Sequence, residues 1–219
     1  MDRDFCQALV ALALQKGAQA ADAYAVSTHG ISAEIFGGEV EEFSRNNSRG
    51  AGLRVLINNR IGYAYTEAFD RPEITVRSAL SNAQVTDPEP DADIYHGPAG
   101  YAALSPAEDL PADKAVVDAA MALYEQIMAI PDAHSTQGCS AQANITRIQF
   151  CNSAGITAQH SRSGALLLAM PVAKRGDWTD SGWAFAVGKN LGGLSPAPVA
   201  AEAMERALGF YDEIGRAHV

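Results

Sequence analysis

Long apolar runs are missing from this 219-residue chain. The longest, Ala165 to Ala173, is interrupted by Pro171 and is far short of the ~20 residues that cross a bilayer as a helix. No transmembrane helix is therefore expected, and no membrane partner. Positive charge is scarce as well: 16 Lys and Arg stand against 26 Asp and Glu, a net charge of −10. Phosphate affinity comes from clustered cations, so the chain reads against nucleic-acid binding. Cysteine occurs only at positions 6, 139 and 151. An odd number without a framework fits a reducing compartment better than a disulfide scaffold. The amino terminus, Met1-Asp2-Arg3-Asp4, lacks the basic region that opens a secretory signal. A cytoplasmic location follows as an expectation.

What is present is enough to fold. Hydrophobic residues make up 47% and charged residues 19%, a balance that supports a buried core. Phe5, Leu9 and Leu12 recur at helical spacing over residues 4–16, with Gly17 placed for a left-handed cap. Short strands are expected at 21–28 and 31–36, then a Gly37-Gly38 turn into 39–44. A second hairpin joins 53–57 to 61–65 around Asn58-Asn59-Arg60, because asparagine tolerates the left-handed conformation of tight turns. Pro72 opens a helix carrying Ile74 or Val76, Leu80 and Ala83 on its buried stripe. Val116, Ala120, Leu123, Ile127 and Ile130 mark another over 113–130, which Pro131 ends. Strands are then expected at 140–147, 148–152, 155–162, 165–173 and 181–188, and Ser195-Pro196 opens a last helix to about Leu208.

The fold class expected from this order is α+β, with antiparallel sheets packed against helices in two lobes. The division runs 1–87 for the amino-terminal lobe, 88–112 for a proline-rich connection and 113–213 for the second lobe. Prolines at 88, 90, 98, 106 and 111 break regular structure along the connection, which is expected to pack on the surface. Residues 214–219 translate one reading frame of a widely used sequencing adapter. A non-native tail is expected there, with the native frame running on; a frayed terminus is the simpler alternative.

Catalytic motifs are mostly absent. No two histidines lie one helical turn apart beside a glutamate, as a zinc hydrolase helix requires. His134 with Cys139, and Cys151 with His160, are soft-ligand pairs that only tertiary contact could join. Cys151 lies in an apolar strand pattern and reads as a small core residue. There is no nucleophile elbow, Walker loop or dinucleotide fingerprint, and Gly50-Ala51-Gly52 merely precedes a strand. The carboxylates at 39, 41 and 42 and at 87, 89, 91 and 93 read as solvated surface. Arg45 and Arg49, flanking Asn46-Asn47-Ser48, could clamp a peptide carboxylate, but an exposed turn is the better reading. No catalytic, cofactor-binding or metal residue is assigned in this chain.

Four blocks then stand in order: Gly17 to Tyr24, Gly38 to Ser44, Ser48 to Val55 and Arg60 to Thr66. With Phe150-Cys151-Asn152-Ser153-Ala154-Gly155 and Ser181 to Gly188, they resemble the amino-terminal half of the TldD/PmbA family over residues 5 to about 210. The resemblance implies a cytosolic metallopeptidase acting on unfolded peptides as paired subunits. One subunit carries a zinc-binding His-Glu-x-x-x-His helix; the other, PmbA (TldE), lacks it, and the spacing here is closer to that side. The motif belongs to a carboxy-terminal half absent from this chain, so the resemblance implies zinc for the complete complex, a TldD-like partner and an inactive fragment. Peptide capture by strand addition at an exposed hairpin edge is the expected mechanism. A noncatalytic interaction scaffold is the alternative, and a thiol or metal enzyme built on Cys139, Cys151 and nearby histidines a third.

Overall fold

Two hairpins are fixed by residues that accept positive φ. Gly37 and Gly38 (φ 60° and 86°) and Asn58 and Asn59 (φ 50° and 60°) form two-residue turns whose twist matches that of the strands they join. The computed structural model describes residues 2–97, 107 and 109–216. In order these form α1 (Asp2–Gln15), β1 (Ala20–Phe36), β2 (Glu39–Ile57), β3 (Arg60–Thr66), α2 (Pro72–Val85), α3 (Asp113–Met128), β4 (Ala133–Asn152), β5 (Thr157–Arg175), β6 (Trp178–Ser181), β7 (Ala184–Gly188) and α4 (Pro196–Arg216), with a short 3₁₀ turn at Leu191–Gly193. The strand order is β3-β2-β1-β4-β5-β6, with β7 also on β5. β3 runs antiparallel to β2, and β6 and β7 antiparallel to β5. The fold is α+β, as expected.

The strands are longer than the sequence suggests. β1, β2, β4 and β5 have 17, 19, 20 and 19 residues, against a usual five or six. Runs expected as separate strands, 21–28 with 31–36 and 140–147 with 148–152, are continuous. Gly30 does not interrupt β1; Asn46 occupies the space its missing Cβ leaves. The polar segment from Arg45 to Arg49, expected as a turn, is mid-strand in β2, because β1 is hydrogen-bonded beside it.

The chain forms two compact units: residues 1–28, 47–106 and 146–161 in the first; 29–46, 107–145 and 162–219 in the second. This partition cuts across the sequential one expected from the sequence, since each of the four long strands gives one end to each unit.

In the first unit, odd-numbered residues of β1 and β2 (Ala21, Ala23, Ala25; Ala51, Leu53, Val55) are buried with Phe5, Leu9 and Ala13 of α1 and Val76, Ala79 and Ala83 of α2. Gly17, at φ +103°, ends α1, and the Ala18 amide donates to the Ala13 carbonyl (3.0 Å). The described start of the proline-rich connection is tied down: Thr86 Oγ1 donates to the Ile61 carbonyl (3.0 Å), the Glu89 amide to the Asn59 carbonyl (2.7 Å), and Ile94 is fully buried. Residues 98–106 and 108 of that expected segment lie outside the described residues. The turn from β4 to β5 is organised by buried Asn152. Its Oδ1 accepts from the amides of Ala154 (3.1 Å) and Ile156 (2.9 Å), and its Nδ2 donates to the Tyr95 carbonyl (2.7 Å).

In the second unit, Val116, Ala120, Leu123 and Ile127 of α3 and Val199, Ala203, Met204 and Ala207 of α4 pack on Ile31, Ala33, Ile35, Ala141 and Leu167. Helix α4 continues past Leu208 to Arg216, into the segment expected as a tail; residues 217–219 lie outside the described residues.

Candidate functional site

Strand alternation that buries the odd positions of β1 and β2 turns the even ones outward. In the first unit these include Asp22, Tyr24, Gly50, Gly52 and Arg54, joined by Tyr63 and Tyr65 of β3. The hairpin register sets Tyr65 opposite Gly52 and Tyr63 opposite Arg54. Each ring leans over the next glycine along: a Cβ on Gly50 would lie 2.1 Å from Tyr65 Oη, and one on Gly52 2.6 Å from Tyr63 Oη. The glycines form a floor that the hydroxyl ends of the rings cover, shielding backbone that would otherwise face water. Tyr24, Tyr63 and Tyr65 are 46%, 55% and 56% exposed.

These residues line a groove of about 540 Å³ that also takes in Val26, Ser48, Arg49 and Glu67. A neighbouring hollow of about 410 Å³ shares Asp22, Tyr24 and Arg54 and adds Tyr95, Phe150 and Ala158. Arg54 grips Asp22 through Nε (3.3 and 3.1 Å to the two carboxylate oxygens) and through Nη2. The carboxylate is only 11% exposed while the guanidinium is 43% exposed, so a cationic edge faces the groove. Arg49 stacks over Phe69 (4.7 Å), which stacks on Phe5 (4.4 Å). Tyr65 Oη donates to Glu67 (3.3 Å). Crowding by the protein, then the charge and hydrogen bond of Glu67 and the nearby Tyr63, holds the Tyr65 hydroxyl above the ordinary phenol range. Two guanidiniums, two carboxylates and three amphipathic rings suit an uncharged or zwitterionic chain more than a polyanion.

The free edge of β3 is less open than the sequence suggests. Thr86 takes the Ile61 carbonyl and Asn82 Nδ2 the Tyr63 carbonyl (2.7 Å). Side chains from α2 and its C-cap thus occupy acceptors that an added strand would need. Arg45, in the second unit, is paired with Asp113, and Arg49, in the first, lies over Phe69.

The other flagged residues remain dispersed. Cys139 is buried, its thiol 3.4 Å from the Ala120 carbonyl to which it donates, while His134 is exposed. Burial, with the charge of Glu34 adding, pushes the Cys139 thiol up to about 12, which leaves it inert. Cys151 is buried with Cys6 in the core of the first unit. Hydrogen bonding from Cys6 lowers its pKa against the opposing effects of burial and Asp22. Among the described residues no three His, Cys, Asp or Glu side chains gather as a metal would require. The zinc implied by resemblance finds no donor set there, and no hydrolytic step is assigned through it. No described helix is long and apolar enough to cross a membrane.

Residues 21–83, which contain the tyrosine hairpin and α2, match the family model described as PmbA/TldA metallopeptidase domain 1. Over these residues the chain is similar to the TldD/PmbA family. It is 28% identical over 217 residues to the metalloprotease PmbA of Escherichia coli O157:H7, an alignment covering 90% of this chain and 46% of that protein. Its fold is shared with TldE of Thermococcus kodakarensis (TM-score 0.82, 13% identity, 93% of this chain and 47% of that one). A Thermotoga maritima protein described as a proposed modulator of a DNA gyrase is similar in fold too (TM-score 0.82, 19% identity, 95% and 48%). The chain therefore spans about half the length of the TldD/PmbA relatives it matches. The tyrosines, which carry the groove, were not singled out in the sequence. Their signal was the alternation of Tyr63 and Tyr65 across from Gly50 and Gly52, once the Asn58-Asn59 turn fixes the register.

Proposed function

We propose that this chain is the peptide-binding and assembly portion of a cytoplasmic TldD/PmbA-type metallopeptidase acting on unfolded peptides. Peptide-bond hydrolysis is assigned to residues outside this chain, in a carboxy-terminal part or a TldD-like partner subunit that supplies the zinc. The observation that carries the reading is the tyrosine-lined groove over a glycine floor. Tyrosine offers large, rigid, amphipathic contact at small entropic cost, and an open groove of such rings accepts extended backbone without demanding one sequence. Because the β3 carbonyls are taken, the groove face rather than the hairpin edge is the binding surface.

The test is fluorescence anisotropy with a labelled, permanently unfolded peptide. The chain binds it, and replacing both Tyr63 and Tyr65 by Ala weakens binding at least about tenfold, from ~1 kcal/mol or more per ring, with unchanged circular dichroism. Unchanged affinity in the double variant defeats the groove assignment. Cleavage by the 219-residue chain alone, with zinc present, defeats the assignment of hydrolysis elsewhere. Assembly with a TldD-like partner but no zinc-dependent cleavage by the pair would favour a noncatalytic scaffold.

A further inference from the structure

The two hollows of the first unit meet at one cation. The tyrosine groove and its smaller neighbour both take in Arg54, with Asp22 and Tyr24. Asp22 holds the guanidinium from one side, through Nε and Nη2. Among the described residues no hydrogen bond engages Nη1, so the edge formed by Nη1 and the second N–H of Nη2 stays open. Parallel N–H groups on that edge match a carboxylate bidentately. A carboxylate only 11% exposed anchors the fork from behind, so little side-chain freedom is lost when an anion docks. Resting on the reading of this face as a peptide groove, we infer that Arg54 is a carboxylate-binding residue: the smaller hollow receives the carboxy-terminal residue of a bound peptide, with its α-carboxylate on the open edge of the guanidinium.

Charge selects this occupant. The charged side chains lining the groove, Asp22, Arg49, Arg54 and Glu67, cancel in pairs, so an acidic chain as such gains nothing there. Only a carboxylate seated on the open fork does. A groove that accepts many sequences has to read a group that every peptide carries, and the one anion every peptide carries is its α-carboxylate. The hollow beside Arg54, about 410 Å³, is walled by Tyr95, Phe150 and Ala158, which suits an apolar last side chain. That wall is anchored. The Tyr95 carbonyl accepts from Asn152 Nδ2 (2.7 Å), Ile94 beside it is fully buried, and Tyr95 Oη fills the space that a Cβ on Gly97 would need. Arg49, the other cation of the groove, lies over Phe69, and among the described residues no carboxylate pairs with it to set its fork.

The test is fluorescence anisotropy on the full chain with one unfolded peptide, free of charged side chains, ending in Phe and labelled at its amino terminus. It is made as the free acid and as the carboxy-terminal amide. The acid is expected to bind about tenfold more tightly at low salt, the lower end for hydrogen bonds to a charged group because the guanidinium is shared and partly exposed. In the double variant Arg54→Gln with Asp22→Asn, which leaves no orphaned carboxylate, acid and amide are expected to bind within about twofold of each other, with circular dichroism unchanged. A full preference for the acid in that variant, or one lost through Arg49→Gln instead, overturns the assignment to Arg54. If replacing an internal residue of the amide by Glu restores the affinity of the acid, the group recognised is a side chain and the terminal assignment fails. Equal binding of acid and amide by the wild type, with the loss on Tyr63→Ala and Tyr65→Ala intact, overturns this inference alone. Binding of neither form overturns the groove reading with it.

Discussion

Replacing Gly62 by Ala adds one methyl group to β3, and the structure states where it goes. A Cβ there would lie 2.0 Å from the Ala79 carbonyl oxygen, 2.6 Å from the Ala83 amide nitrogen and 2.7 Å from the Ala83 Cβ. Two of these are backbone atoms of α2 and cannot rotate away. Contact at 3.5 Å or so requires the helix to lift by about 1–1.5 Å along this line. A gap of that size forfeits a quarter to a half of the dispersion energy or more along the buried face of Thr75, Val76, Ala79 and Ala83. Overpacking of this kind costs about 1–3 kcal/mol. Lifting also stretches the bonds from Asn82 and Thr86 to the β3 carbonyls, each about 1 kcal/mol. The expected loss is about 3–4 kcal/mol in urea unfolding, with m unchanged. The opposite sign has a mechanism too: where alanine fits, Gly→Ala stabilises by about 0.4–1 kcal/mol through the unfolded chain. A neutral or stabilised Gly62→Ala would therefore refute the claim that α2 rests on this glycine.

Three further outcomes follow from particular contacts. Cys139 is raised from 9.0 to about 12, so its contribution to stability is complete below pH 9 and is lost as the pH rises towards 12. Wild type should lose about 1.4 kcal/mol more per pH unit than Cys139→Ala in this window; parallel urea-derived stability curves would contradict it. Asn152→Ala strips partners from two amides at the β4–β5 turn and from the Tyr95 carbonyl and should cost about 3 kcal/mol, read from the thermal midpoint; a loss below about 1 kcal/mol would show that the turn holds without it. Arg54→Ala leaves a nearly buried Asp22 carboxylate alone. In a double-mutant cycle with Asp22→Asn the pair should couple by about 1–2 kcal/mol, discounted for the exposed guanidinium; strict additivity would count against it.

The hairpins were legible because a two-residue turn is a local decision: Gly37-Gly38 and Asn58-Asn59 need only their own φ preferences. Helices α1, α2 and α3 were legible for a similar reason, each carrying its stripe in its own sequence. Strand length was not. Whether Arg45 to Arg49 is a turn or mid-strand depends on β1 lying hydrogen-bonded beside it, which no window of five polar residues reports. The interleaved units share this cause, since a strand read as two pieces cannot pass from one unit to the other. The tyrosine groove lay between these cases. The Asn58-Asn59 turn sets Ile57 opposite Arg60 and hence Gly52 opposite Tyr65, so the rings could have been placed over the glycines by counting back from the turn.

The two units seat a helix by the same device. Gly62 meets Ala79 and Ala83 on α2; Gly182 meets the Ala203 carbonyl (2.3 Å) and the Ala207 amide (2.4 Å) on α4. Each unit thus seats a helix on a glycine, with alanines four residues apart presenting only methyl groups to it. Close approach demands that the sheet-side residue lack a Cβ, whether in a strand as Gly62 or between two strands as Gly182, and that the helix side carry nothing larger than one. Elsewhere on either helix face the only requirement is apolar bulk, which Val76 and Met204 meet equally well. A constraint on three positions, with all others free within a hydrophobic class, preserves the packing while erasing the identities by which a repeat would be found.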